Sequence, residues 1–362
     1  MTSNRPTMRT IAKLAGVSVM TVSRALRNQS VLPEATRHRI QKIAKEAGYY
    51  PNPMISTLMA QLHGSRSKAQ SPVICYVTAY PDPEHWKDLQ YNVLTYRGAA
   101  RRAEELGYRL EHFCLTESGL TFRTASRVLR ARGVVGLLLA PLPIPHPPML
   151  GLNWDWFACA TIGYKWKDPV LHRAMVDHIA MVRLTYRSLV ELGYRRIGLA
   201  IRPMDDNEVD NKWLAGFCAE QFFEPASERV PIFLEANWNR ETFTKWCVKA
   251  RPQAVITIHT DVIEWIKQAG LRIPEDIGVA ILDTSGSPGL SGVDQRTELV
   301  GEIALDLVVE QINHNQIGVP RVAKIVMVEG TWIKGTNVRR ISPAQSKRLP
   351  ATSRKKRKKV GS

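Results

Sequence analysis

The chain has no G-x-S-x-G elbow, no phosphate-binding G-x-x-x-x-G-K-[ST] loop, no H-E-x-x-H pair and no G-x-G-x-x-G turn. Its nine histidines do not gather at metal-ligand spacing. No catalytic group, metal or cofactor is therefore expected, and the chain does not read as an enzyme. Only five cysteines are present, and none forms a C-x-x-C pair. They read as buried thiols in a reducing cytoplasm rather than as a disulfide frame or zinc site. Apolar runs long enough to span a bilayer are missing, so no membrane segment is expected. The first ten residues also lack the apolar stretch of a secretory signal. A cytoplasmic location follows from these readings.

What is present in excess is positive charge, and it is placed unevenly. The net charge is +17. Residues 1–70 carry 11 Lys/Arg against 2 acids, and residues 339–362 carry 10 with no acid. The 268 residues between them balance to −2. Basic ends on a neutral body suit a chain that meets phosphate with its extremities.

Residues 1–50 contain three helical patterns. Thr7 can cap a helix from Met8 to Ala15, with Met8, Ile11, Ala12 and Ala15 on one face. Gly16 follows, free to adopt positive φ. Ser18 can cap a second helix from Val19 to Leu26, in which Val22 and Leu26 face inward. Pro33 opens a third that turns Ile40, Ile43, Ala44 and Ala47 inward and stops at Gly48. Helix, tight glycine turn and short second helix make a helix-turn-helix, whose second helix enters a major groove.

The run from Thr10 to Arg24, TIAKLAGVSVMTVSR, resembles the headpiece of the lactose/galactose repressor (LacI/GalR) family, and Thr36-Arg37 and Gly48 to Asn52 (GYYPN) continue the match. The resemblance implies roles by position. Val19 and Met20 stand at the two variable base-reading positions, and Arg24 at one that reaches a base edge, where guanidinium suits guanine. Val19 and Met20 can contact a thymine methyl or simply fill space. Thr7, Ser18, Thr21, Ser23, Tyr49 and Asn52 fall where the family holds phosphates. Leu58 stands at the hinge position that wedges into a minor groove. Here the hinge departs from the family pattern. Ile55-Ser-Thr-Leu58 lacks the common arginine, and the stretch from Leu58 to Val73 is long, with a linker composition.

Beyond Val73, strand-length apolar runs alternate with amphipathic helical patterns. Strands are expected at 73–79, 109–115, 134–140, 157–162, 195–201, 254–258 and 278–283. Helices are expected at 93–106, 121–132, 174–192, 208–223, 240–250, 261–269 and 296–314. This alternation means doubly wound parallel sheets. Glu105 to Arg109 and Glu191 to Arg195 both read ELGYR, a helix-end and strand-start repeated at lobe spacing. The family resemblance extends here through Gly270 to Asp283 (GLRIPEDIGVAILD) and Leu214 to Phe217 (LAGF). It implies a periplasmic-binding-protein-like core of two α/β lobes holding a small-molecule effector. By position, Asp283, Asp261 and Trp213 are the effector candidates, Trp213 standing where the family usually has an arginine.

The expected organisation is an all-α helix-turn-helix headpiece at 1–50, a hinge at 51–72, a core at 73–338 and a basic disordered tail at 339–362. The core lobes are expected at 73–163 with 292–318 and at 164–285 with 319–338. The function implied is a homodimeric, sequence-specific repressor that binds a pseudo-palindromic DNA operator and senses a sugar-like effector. Two alternatives stay open: a ligand-independent regulator whose core serves dimerisation or a protein partner, and a solute-binding protein or enzyme on the same core. The headpiece weighs against the second.

Overall fold

A computed structural model describes residues 8–26, 32–47, 49, 71–116, 121–141 and 152–342. Thr7, Asn52, Leu58 and most of the hinge and tail lie outside the described residues, as does the side chain of Ser23.

Three helices form the headpiece: α1 (Met8–Ala15), α2 (Val19–Leu26) and α3 (Glu34–Glu46). Gly16, at φ +65°, closes α1 in the left-handed region that a side chain would strain. Ile11, Ala12, Ala15, Val22, Ala25, Ile40 and Ala44 make a closed core. Met8, expected inward, is 38% exposed, because it opens the first turn beyond the reach of the other helices. Side chains of α3 tie the ends of the other two: Arg39 donates to the Ala15 carbonyl, and Gln41 to that of Ala25 at 2.9 Å. Both carbonyls would otherwise be orphans of a helix end.

The chain divides into two compact units, exchanging at 175/176, 297/298 and 326/327. The sheet of the first holds β1 (Val73–Thr78), β2 (Arg109–Cys114), β3 (Val134–Leu139), β4 (Ala158–Ile162), β5 (His172–Val176) and β11 (Ile325–Val328), in the order β11-β5-β4-β3-β1-β2. The pairs from β5 to β2 are parallel. Helices α4 (Gln90–Glu105), α5 (Phe122–Ala131) and α11 (Thr297–His314) belong to this unit. Helices α4 and α11 touch through glycine. A Cβ on Gly98 would lie 1.9 Å from the Glu298 carbonyl oxygen, and one on Gly301 would lie 2.0 Å from that of Thr95. Arg101 pairs with Glu298 and Glu302 along the same seam, and Arg102 with Asp306.

The second sheet holds β6 (Ile197–Ile201), β7 (Phe233–Leu234), β8 (Ala254–Thr257), β9 (Gly278–Ile281), β10 (Gly292–Asp294) and β12 (Thr331–Ile333), in the order β12-β10-β9-β8-β6-β7. It is parallel except between β10 and β12. Helices α6 (His178–Glu191), α7 (Pro203–Glu208), α8 (Lys212–Phe222), α9 (Arg240–Ala250) and α10 (Asp261–Gln268) complete this unit. The two ELGYR segments behave alike. Gly107 and Gly193 adopt φ +76° and +99°, and Tyr108 and Tyr194 are buried with their amides returned to Ala103 and Leu189 carbonyls.

The structure revises several expectations. Residues 172–176 form a strand in register with β4 (Ala160↔His172, Ile162↔Ala174), so they belong to the first lobe, and the expected helix at 174–192 starts at His178. Strand β10 sits in the second sheet, although 292–318 was expected wholly in the first. Strand β11 pairs in the first sheet, although 319–338 was expected in the second. The expected helix at 208–223 is broken, because Asp210 and Asn211 turn left-handed at φ +59° and +58°. Cys218 is exposed rather than buried: it follows the inward Phe217 onto the solvent side of α8.

Candidate functional site

In the headpiece, α2 is two-faced. Val22 and Ala25 are fully buried, whereas Val19 is 40% and Met20 62% exposed and Arg24 is also exposed. Met20 and Arg24 are one helical turn apart and share the outer face. Ser18 caps the helix, its Oγ accepting the Thr21 amide at 3.0 Å and lying 2.8 Å from the Thr21 hydroxyl. Both hydroxyls therefore stand at the amino end of α2, where backbone N–H groups favour an anion. Ser23 lies on the same helix. Tyr49 packs half-buried against the headpiece core, and its amide is held by the Ala44 carbonyl. The structure thus brings Ser18, Val19, Met20, Thr21 and Arg24 together at one exposed helix.

In the second lobe, the carboxyl ends of the strands carry a linked polar group. Arg202 follows β6 and holds Asp205 with two hydrogen bonds, of 2.6 and 3.0 Å. His259, following β8, meets the same carboxylate through Nε2 at 2.8 Å. Burial pushes the Asp205 carboxyl up, but the bonds from His259 and Arg202 outweigh it and hold the group below the usual carboxylate range. Trp238 lies 4.5 Å from the His259 ring and donates its indole N–H to Asp261 at 2.9 Å. Asp206 accepts the amides of Trp213 and Leu214 at the start of α8. Asp283 follows β9 and accepts the Ser285 amide at 2.9 Å, closing its own turn.

Trp213, expected to stack on an effector ring, is only 5% exposed and meets the His178 ring edge-on at 5.5 Å. Its indole N–H has no hydrogen-bond partner among the described residues. Asp261 opens α10, four residues beyond β8, and Asp283 stands two residues beyond β9. Arg202, Asp205, His259 and Trp238 were missed. Reading the residues directly after two expected strands would have found Arg202 and His259, since open α/β sheets gather ligands there.

Burial pushes the His178 imidazole down to about 3, against a hydrogen bond at Val176 that favours the charged form. The unfolded chain takes up this proton near the ordinary histidine value, and the folded chain does not. The stability that depends on neutral His178 is therefore complete above about pH 6.5 and is lost as pH falls toward 3, at about 1.4 kcal/mol per pH unit. His172, lowered by burial, acts in the same direction. Urea unfolding followed between pH 7 and 5 is expected to show the decline, and His178→Phe to flatten it by the slope of one proton. An equally steep decline in the variant would refute the assignment.

Among the described residues, no helix is long and apolar enough to cross a membrane, and no trio of His, Cys, Asp or Glu could hold a metal ion. Residues 7–52 match the model of bacterial regulatory proteins of the lacI family, and residues 186–330 match the periplasmic binding protein-like domain. The chain is 23% identical over 342 residues to the HTH-type transcriptional repressor CytR of Escherichia coli K12, covering 86% of this chain and 91% of that protein. A solved complex of the transcriptional regulator CelR with cellobiose has the same fold, at TM-score 0.55 and 21% identity, over 92% of this chain and all of that one. So does the lac repressor dimer bound to operator and the anti-inducer ONPF, at TM-score 0.51 and 20% identity, over 92% and 99% of the two chains. With a helix-turn-helix headpiece, two parallel α/β sheets and both family models matched, the chain belongs to the lacI family, as a helix-turn-helix DNA-binding transcriptional regulator.

Proposed function

We propose that this regulator acts in the cytoplasm as a homodimeric repressor on a pseudo-palindromic operator, each protomer laying α2 in a major groove. Val19, Met20 and Arg24 face base edges. Thr7, Ser18, Thr21, Ser23, Tyr49 and Asn52 hold phosphates, and Leu58 enters the minor groove at the centre. The observation that carries this reading is the exposure of Val19 and Met20 on a helix whose opposite face is closed. Apolar side chains 40% and 62% exposed at a helix start suit contact with a thymine methyl. Operator selection from random duplexes is expected to yield two inverted half-sites, one helical turn or a multiple of it apart. A single unrepeated site would contradict the dimeric reading.

On the sensing side, a sugar-like effector meets the carboxyl end of the second lobe, with Asp283 and Asp261 accepting hydroxyls; the buried Trp213 borders that end through Asp206 rather than offering a ring face. The CelR–cellobiose complex supports a sugar as the first class to try. One observation favours a second reading, a core that no longer responds to ligand. Asp205, Asp206, Asp261 and Asp283 all accept hydrogen bonds from within the lobe. Calorimetry of the full chain with sugars and phosphosugars decides between them. Heat of binding that Asp283→Asn removes supports the sensor, and silence across the panel supports the ligand-independent regulator.

A further inference from the structure

We infer that the outer face of α8 is an interface between two copies of this chain, with the two α8 helices antiparallel across a two-fold axis beside Cys218 and Ala219. From the proposed homodimer this takes only that copies of the chain associate.

Helix α8 is apolar on both sides. Its inner face is closed: Trp213, Gly216 and Phe217 are buried, and a Cβ on Gly216 would lie 3.0 Å from the Ile179 carbonyl oxygen of α6. Its outer face carries Ala215, Cys218, Ala219 and Phe222, spaced i, i+3, i+4 and i+7, and all four are exposed. A surface helix turns charged and polar side chains to solvent, and a helix that is apolar all round belongs in an interior. Phe223 continues the stripe, so that two neighbouring rings are 69% and 85% exposed. They meet edge-on at 5.3 Å, and the helix end that carries them is tied down. Arg229 donates to the Phe222 and Glu224 carbonyls, both at 2.9 Å, and Gln221 to the Val230 carbonyl at 2.9 Å. Groups held ready in this way lose little freedom when they are covered.

Three features select a second copy as the occupant. The first is the fit along the stripe. An axis midway between Cys218 and Ala219 sets Phe222 of each copy opposite Ala215 of the other, a large side chain against a small one. A two-fold contact needs a face that complements itself in this manner. The small residues at the centre let the helix axes approach to about 8–10 Å. The second is charge. The chain carries +17, so two copies repel over most of their surface. The α8 stripe has no charged residue, and both signs border it. Arg183 and Arg187 pair with Glu220, and Lys212 with Asp210. The antiparallel arrangement also brings Lys212, at the start of α8, toward Glu224 of the second copy, just past the helix end. The third is area. At about 200 Å² per phenylalanine, the exposed parts of the two rings come to roughly 300 Å² in each copy. Two copies thus bring about 600 Å² from rings alone, more than half of the ~1,000 Å² that a specific interface must exceed.

Sedimentation of the full chain at micromolar concentration tests this, with a variant carrying Phe222→Glu and Phe223→Glu. Both rings are exposed, so the fold should persist, which circular dichroism can verify. The wild-type chain is expected to have twice the mass of the variant, as dimer against monomer or tetramer against dimer. Ala219→Arg, at the centre of the stripe, is expected to halve the mass in the same way from an exposed position where arginine suits a helix. Cysteine chemistry reads the register. With Cys247→Ser in the background, a short bis-maleimide is expected to join Cys218 to Cys218 in the wild-type face and in neither variant, the remaining three cysteines being buried. Equal masses for wild type and both variants would overturn the interface and leave this face to a different protein. A wild-type chain that stays monomeric would do the same. Masses that halve without any Cys218 link would overturn the antiparallel arrangement. The DNA reading stands or fails separately, on Arg24→Ala and on the selected operator.

Discussion

Arg24→Ala is expected to weaken operator binding by about tenfold to a hundredfold, while binding to random duplex falls far less. A good guanidinium–guanine contact discriminates by about 1–3 kcal/mol. Truncation at this position removes little else. Arg24 is exposed, one turn beyond Met20, whereas the packing that holds α2 in place comes from Val22 and Ala25 on the other face. The headpiece should therefore fold as before, which helical circular dichroism of the full chain can verify. The comparison must be made at one salt concentration, because the phosphate contribution varies steeply with ionic strength. A ratio of operator to random affinity that Arg24→Ala leaves untouched would remove α2 from the reading role.

The second large effect concerns stability. Gly301→Val is expected to cost about 3 kcal/mol or more, since overpacking of a well-packed site typically costs 1–3 and this one meets main chain. The added Cβ would fall 2.0 Å from the Thr95 carbonyl oxygen. A flexible side chain could swing away from such a clash, but a helix backbone moves only with its whole helix. The obstruction is doubled by Gly98 against the Glu298 carbonyl, so α4 and α11 cannot slide to relieve one contact without tightening the other. For a unit of this size the loss corresponds to roughly 6–12 °C in Tm. Gly301→Ala introduces the same Cβ without the branches and should fall between wild type and valine. Equal melting temperatures for all three chains would show that the helices separate readily.

The sequence made some parts of this molecule plain and hid others for physical reasons. The headpiece was legible because its signals are local: an apolar spacing, a serine cap and Gly16 all lie within a few residues of each other. The longer strands were legible as continuous apolar runs, the mark of buried parallel sheet. Strand β5 was not, since His172-Arg-Ala-Met-Val176 runs straight into α6 and its apolar residues blend with a helical period. Strands β10 and β12 have three residues each, too short to show any period. The Asp205–His259 pair joins residues 54 positions apart, and only the sheet order that sets β6 beside β8 brings them together. Trp213 was read for its position, but its burial against His178 depends on how α8 packs on α6.

The order in which the chain threads its lobes sets a timetable for biosynthesis. The first sheet waits for β11 and the second for β12, and both arrive after residue 324. A ribosome must therefore have joined at least the first 324 of these residues before either lobe can add its last strand. The headpiece core, contiguous within residues 11–49, can form as soon as it leaves the exit tunnel. Nascent chains would thus own a finished DNA reader well before they own a finished body, and a premature stop near residue 320 would leave that reader attached to two open sheets.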